Sequence, residues 1–304
     1  MNKKIALIGC GIWGKNILRE LNHLGCETTV FESEPRRRQS VMNLGATEFL
    51  TGLPSNSDYF DGIIISTPSS THLSVYERVV DCKCPVFMEK PLTINLEEAR
   101  TIEKLPHDNL YIMHIWLYHP GIQMLAEIAR SKELGRVLGV RSIRANWTSP
   151  RKDTDSAWNL SPHDLIITKA ILGLIPEPIA AVAERHKGVI RGLTALLGND
   201  PYSVFEVSNR YERKIREVRV HFEKGVAILK DEKANSVTVV HGDAESDPNN
   251  LKIEYRKFDS TPPLRLELLE FLEYLNGGPE PRSKFRDGLE VVQTIDRIVK
   301  LTES

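Results

Sequence analysis

The residues most able to do chemistry begin at the ninth position. Gly9-Cys10-Gly11-Ile12-Trp13-Gly14 has the G-x-G-x-x-G spacing and follows the apolar run Ile5-Ala6-Leu7-Ile8 directly. In that setting each glycine has a separate task. Gly9 permits a tight turn, Gly11 lets a pyrophosphate approach the backbone, and Gly14 allows close helix–strand packing. Phosphates then meet unpaired N–H groups and the positive end of a helix dipole, with Ile12 and Trp13 in the first turn. Glu32 stands about 20 residues further on, at the end of the next apolar run, where an acid can accept hydrogen bonds from ribose hydroxyls and repel a 2′-phosphate. The pattern predicts a nicotinamide dinucleotide and favours NAD over NADP. Arg36-Arg37-Arg38 is the counter-argument, since a guanidinium can hold a 2′-phosphate.

The elements that must position this turn alternate regularly. Ile5–Ile8, Thr28–Phe31, Ile63–Ile65 and Pro85–Met88 read as buried strands, with helices over 12–24, 35–44, 70–81 and 95–104 between them, and Leu110–His114 closes the series. Such alternation implies a parallel sheet covered on both faces. After Pro120 the pattern changes to a helix over 121–132, a strand over Arg136–Thr148, a helix starting near Ser161, and strand candidates from about 178 to 258. Two amphipathic helices end the chain. The expected fold is an α/β Rossmann domain followed by an α+β domain with a mainly antiparallel open sheet. Its expected divisions are 1–118, 119–285, and a terminal helix over 286–304 that returns to the first domain.

Composition narrows the function further. With 304 residues the chain has room for two cores, and a net charge of −1 gives no general attraction to nucleic acid or anionic membrane. No apolar stretch approaches the roughly 18 residues needed to span a bilayer. Four cysteines (Cys10, Cys26, Cys82, Cys84) are too few for a disulfide framework, and Cys82-Lys83-Cys84 lacks a second pair for zinc, so no metal is expected. The expected compartment is the cytoplasm.

Two more segments make the reading specific. Ser66-Thr67-Pro68-Ser69-Ser70-Thr71-His72 and Glu89-Lys90-Pro91 follow the strands that end at Ile65 and Met88, at carboxyl ends where ligands of parallel sheets bind. With the glycine run, the T-P-x-x-x-H and E-K-P patterns resemble the Gfo/Idh/MocA family of oxidoreductases. The resemblance continues through Gly121 to Val140 and Asp287-Gly288-Leu289-Glu290-Val291-Val292. It implies that Lys90 is catalytic, preceded by Glu89 and followed by a cis bond to Pro91, and that Thr67 and Pro68 line the nicotinamide side. For His72 a cofactor contact and a backbone hydrogen bond both stay open.

The family also carries a histidine at the start of a helix with an aspartate four residues earlier. The matching segment is Trp158-Asn159-Leu160-Ser161-Pro162-His163-Asp164, in which Asn159 replaces the aspartate. Ser161 as N-cap, Pro162 at the first position and Asp164 completing a capping box would put His163 in the first turn, where the dipole keeps an imidazole neutral and able to accept a proton. Asn159 can orient the imidazole but cannot stabilise its cation by charge. The resemblance implies oxidation of a secondary alcohol of a sugar, polyol or nucleotide-sugar. Alternatives are a glycosidase-type member that cycles NAD internally and a non-enzymatic NAD-binding regulator. Tyr118, Arg144, Asn146, Arg151, Lys152 and Trp158 are candidates to meet such a substrate, the two adjacent cations favouring an anionic one. His114 and His119 have packing as a sufficient explanation. The open sheet would need covering, which with the resemblance implies a homo-oligomer.

Overall fold

The computed structural model describes residues 2–54, 59–148 and 154–303. The chain divides into two compact units, Met1–His114 with Leu264–Val292, and Ile115–Pro263 with Gln293–Ser304.

The first unit is a six-stranded parallel sheet built from β1 (Lys4–Ile8), β2 (Glu27–Phe31), β3 (Glu48–Leu50), β4 (Gly62–Ile65), β5 (Val86–Glu89) and β6 (Leu110–Met113), in the order β3-β2-β1-β4-β5-β6. The chain reverses its direction of travel across the sheet between β1 and β4, the point at which such sheets bind ligands. Helices α1 (Ile12–His23), α2 (Arg38–Met42), α3 (His72–Val79) and α4 (Leu96–Glu103) make the crossovers. Ile5, Leu7, Ile63, Ile64 and Ile65 are wholly buried, as expected of strands covered on both faces. β3 escaped the sequence reading because three residues at a sheet edge are too short to show periodicity.

The second unit holds α5 (Pro120–Ser131), β7 (Val137–Ala145), α6 (Ser156–Leu172), β8 (Pro178–His186), β9 (Val189–Leu197), β10 (Tyr202–Ser208), β11 (Ile215–Phe222), β12 (Gly225–Leu229), β13 (Ser236–His241) and β14 (Lys252–Lys257). Its eight strands run in the order β14-β13-β12-β11-β7-β10-β9-β8, antiparallel except for the parallel pair β7–β10. One face packs on α5 and α6 through Ile122, Leu125, Ile167, Val140, Val218, Val220, Ala227 and Val239.

The divisions differ from those expected. Helix α7 (Pro263–Tyr274) packs with the first unit rather than the second. Its Phe271 ring stacks on Phe87 of β5 with centroids 4.7 Å apart, Arg265 pairs with Glu20 of α1 at 2.8 Å, and Leu275 O accepts a bond from the Lys3 ammonium. Burying a ring of that size is worth about 2–3 kcal/mol, so the stripe decides where the helix lies. The first border therefore falls at 114 and the return of the chain at 264, not at 118 and 286. Helix α8 (Phe285–Leu301) is divided at Val292, and its Gly288 fits closely against Ile112 and Leu92.

Candidate functional site

In the first unit the glycine turn has the geometry its spacing predicts. Gly9 adopts φ +87°, and a Cβ there would lie 2.7 Å from Ser66 O. A Cβ on Gly14 would lie 2.4 Å from Gly9 O, so the start of α1 sits directly on the turn. At Gly11 a Cβ would meet nothing within 4 Å. Two glycines are thus required by close backbone approach and the third faces open space, as a turn that admits a pyrophosphate should. No side chain caps the N-terminus of α1 and no acid lies in its first turn, leaving N–H groups and positive potential for an anion. Ile12 is 92% exposed and Trp13 projects beside it.

Glu32 is buried at the end of β2. Its Oε2 accepts bonds from Cys10 N at 2.9 Å and the Arg37 guanidinium at 2.8 Å, while Oε1 accepts from Glu34 N at 3.0 Å. Burial pushes this carboxyl up, but the backbone donors of Cys10 and Glu34 and the guanidinium outweigh it and hold it below the ordinary glutamate value. The acid is therefore ionised and fixed against the glycine run. The arginines that argued for a 2′-phosphate have internal partners: Arg37 on Glu32, Arg36 on Glu34 at 2.8 Å, and Arg38 over the Phe49 ring.

The other two motifs are tied to the turn and to each other. Glu89 accepts the Trp13 indole N–H and the Lys90 amide N–H. The Lys90–Pro91 peptide is cis. His72 is fully buried, with Nδ1 2.9 Å from Pro91 O and 3.2 Å from Leu92 O, and Nε2 3.2 Å from Thr67 O. The ring clamps the carbonyls of the Thr67-Pro68 and Lys90-Pro91 segments together. The structure gives His72 the backbone role of the two left open, and it is not presented for a cofactor contact. Thr67 Oγ1 accepts a bond from Thr71 Oγ1 at 2.9 Å.

The second unit corrects the reading of His163. Helix α6 starts at Ser156, capped by Asp155, whose side chain accepts from Trp158 N at 3.1 Å. Ser161 is buried inside the helix and Pro162 lies within it, so the expected N-cap and capping box are absent. Asp155 precedes a further turn of helix-compatible sequence, and the helix continues through Pro162, which has no N–H for the carbonyl of Trp158. His163 therefore stands beyond the first turn, where the dipole acts weakly. Asn159 and His163 are one helical turn apart and share a face.

Around that face lies a stack the sequence did not reveal. His163 meets the edge of Trp116 at 6.5 Å between centroids, Trp116 stacks on His119 at 5.1 Å, and the Arg144 guanidinium lies 4.3 Å over the Trp116 ring. Arg144 pairs with Asp164 at 2.9 Å, both side chains being buried. His119 caps α5: its Nδ1 accepts from Gly121 N and its Nε2 donates to Glu232 O. Burial lowers its pKa, against the bond to Glu232 O, so the ring is a neutral structural one. Arg144, expected to meet substrate, is 3% exposed and belongs to this packing, and Tyr118, expected likewise, is 2% exposed. Asn146 holds Arg216 at 2.5 Å, and Trp158 is half-buried at the start of α6. His114 is buried against Ser283 Oγ. Arg151, Lys152 and Asp153 lie outside the described residues. Trp116 and His119 had only their spacing of three as a signal, which many packed helices share.

Comparison with known proteins agrees with this geometry. Residues 3–110 match the model of the oxidoreductase family with an NAD-binding Rossmann fold, Gfo/Idh/MocA. The UDP-N-acetylglucosamine 3-dehydrogenase of Acidithiobacillus ferrooxidans is 27% identical over 75% of this chain and 74% of its own. The inositol 2-dehydrogenase of Rhizobium meliloti is 20% identical over 79% and 78%. In fold, the solved structure of the Acidithiobacillus enzyme superposes with a TM-score of 0.84 at 22% identity, covering 100% of this chain and 98% of that one. A levoglucosan dehydrogenase solved with NADH gives 0.84 at 14% identity, covering 100% and 97%. Over residues 3–110 the chain is similar to the Gfo/Idh/MocA oxidoreductases, and its fold is that of the solved structures compared above. The matched segment is the NAD-binding Rossmann fold, and the open face of Gly11 and the anchored Glu32 are the features that fit the dinucleotide.

Proposed function

We propose that the substrate is a secondary hydroxyl of a sugar, polyol or nucleotide-linked sugar, and that Lys90 and His163 are the residues that act on it. When bound, NAD supplies the hydride-accepting chemistry. Gly9, Gly11 and Gly14 seat its phosphates, and Glu32, whose longest internal bond is the 3.4 Å one from Ser33 Oγ, takes the ribose hydroxyls. Thr67 and Pro68 line the nicotinamide side. His163, with Asn159 one turn before it, accepts the hydroxyl proton. Lys90, an ammonium whose backbone is fixed by Glu89, stabilises the developing alkoxide. The observation that carries the reading is the tie between Trp13, Glu89 and Lys90, which fixes the lysine to the dinucleotide turn itself.

A nucleotide-linked sugar is favoured by the relative named UDP-N-acetylglucosamine 3-dehydrogenase. A second reading, an internal redox cycle without net change in the nicotinamide, is favoured by a relative that is a hydratase by name. That is the Escherichia coli 2,7-anhydro-N-acetylneuraminate hydratase, 22% identical over 58% of this chain and 51% of its own. Nicotinamide absorbance with a panel of sugars separates the two: a dehydrogenase accumulates NADH, whereas an internal cycle consumes substrate and leaves NAD unchanged.

Association through the eight-stranded sheet belongs to the same reading. Val182, Ile253 and Tyr255 are 75%, 53% and 64% exposed on its strands, and a homo-oligomer would cover them. No disulfide joins the four cysteines, which supports the cytoplasm as compartment. Among the described residues no helix is long and apolar enough to cross a membrane.

A further inference from the structure

Helix α6 is pinned to its sheet by one stripe of polar side chains. Asp164 accepts a bond from Arg144 Nε of β7 at 2.9 Å, and Thr168, one turn further along α6, is bonded to Ser203 of β10 at 2.8 Å. All four residues are buried. Two bonds on one stripe fix how far the helix is rotated about its own axis. His163 precedes Asp164 in the chain and so projects about 100° round the helix from that stripe. There it meets Trp116 of the 3-10 turn Ile115–Tyr118.

Arg144 also holds the ring that His163 touches. Its guanidinium lies 4.3 Å over Trp116, which stacks on His119 at 5.1 Å, and His119 is itself fixed by Gly121 N and Glu232 O. One arginine thus reaches both the helix that carries the histidine and the wall against which the imidazole rests. Packing alone does not call for it. Val140 of β7 and Val218 and Val220 of β11 fill the neighbouring part of this core with aliphatic groups. A buried ion pair stabilises less than aliphatic groups of the same volume, the more so where a carboxylate oxygen has no donor. Asp164 Oδ1 has none among the described residues. Across the ladder Arg144 also faces a second cation in register, Arg216 of β11, and like charges directly opposite each other destabilise a sheet.

We propose that Arg144 is a positioning residue for the proton acceptor: through Asp164 it sets the rotation of α6, and through Trp116 it sets the orientation of the His163 imidazole. The inference rests on the reading of His163 as that acceptor, and gives Arg144 a place behind the histidine rather than a contact with substrate. Misplacing a reacting group by about 1 Å costs on the order of a hundredfold in rate, so a side chain that touches no reactant can still govern turnover.

The test sets the double variant Arg144→Met with Asp164→Leu, which fills the same space without charge, beside Arg144→Lys and His163→Gln. The double variant melts close to wild type, because an aliphatic pair replaces the buried ions. In magnetic resonance spectra of the whole protein carrying isotope-labelled histidine, the His163 signal is identified by its loss in His163→Gln. In wild type it is single and displaced by the ring current of Trp116; in the double variant it moves towards the position of an exposed histidine. Arg144→Lys keeps a cation beside Asp164 but not the flat contact with Trp116, and moves the signal part of the way. With NAD and a sugar that the wild type turns over, the double variant loses about tenfold to a hundredfold in kcat with KM within about threefold. An unmoved His163 signal in either Arg144 variant overturns the proposal whatever the substrate, and so does wild-type kcat in the double variant. Undiminished turnover in His163→Gln overturns the reading of His163 instead, and the signal then still decides whether Arg144 holds the ring.

Discussion

At the scale of single residues, Glu32 shows how one side chain can choose a cofactor. It accepts from Cys10 N and so locks the glycine run, and it occupies Arg37, the guanidinium best placed to take a 2′-phosphate. Glu32→Ala removes both effects at once: NADH affinity falls roughly tenfold or more and the preference over NADPH narrows, readable by titration with each cofactor. The two buried glutamates oppose each other in pH. Glu32, held below its ordinary value, contributes stability that is present above the unfolded glutamate pKa and lost as pH falls through the folded one. Glu267 of α7, wholly buried and held above it by that burial, stays protonated while the unfolded chain ionises, so it costs stability increasingly as pH rises past the unfolded value. Thermal melts of Glu267→Leu and wild type should therefore converge in acid and separate towards neutral pH. Motif residues such as Gly9, Gly14 and Glu32 were legible because their spacing encodes where the turn must bend and what must lie against it. His72, Arg144 and Glu267 were not. Each takes its role from partners or burial that spacing does not carry, such as the carbonyl of Pro91 19 residues away and the carboxylate of Asp164 20 away.

Among the elements, helix α6 is where local pattern and structure part. Ser161-Pro162-His163-Asp164 has the composition of a helix start, yet the cap is Asp155, six residues before Ser161. Both signals are genuine, and the chain uses the earlier one because Ser156 and Ala157 are buried there, with Ser156 Oγ bonded to Arg191 O at 3.0 Å. Asp155→Ala should cost about 1 kcal/mol in denaturant unfolding, with the loss confined to a cap whose donor is Trp158 N. Ser161→Ala, replacing the cap the sequence suggests, should leave that bond untouched. The strands of the first unit were easy to read because continuous apolar runs between glycine and proline punctuation leave no other choice. β3 and the partners of β7 were not, since strand order in the second sheet depends on contacts distant in sequence.

For the whole molecule, alternation followed by a run of strands was enough to foresee two sheets of opposite character. The borders were not foreseeable in the same way, because the stripe of α7 is amphipathic whichever unit it covers, and only the stack of Phe271 on Phe87 assigns it. The eight-stranded sheet leaves Val182, Ile253 and Tyr255 in contact with solvent. Sedimentation at micromolar protein should show a homo-oligomer, and Val182→Glu with Ile253→Lys should shift it towards monomer without changing the melting of the first unit. A wild-type monomer would contradict association through this face. The account as a whole rests on net hydride transfer to NAD, and one assay reaches it. Purified protein with NAD and a panel of polyols, sugar acids and nucleotide sugars, UDP-N-acetylglucosamine included, should accumulate NADH with at least one of them. Lys90→Ala should slow that turnover by at least about a hundredfold while still binding NADH. Substrate consumed with no NADH formed, or undiminished turnover in Lys90→Ala, would contradict it.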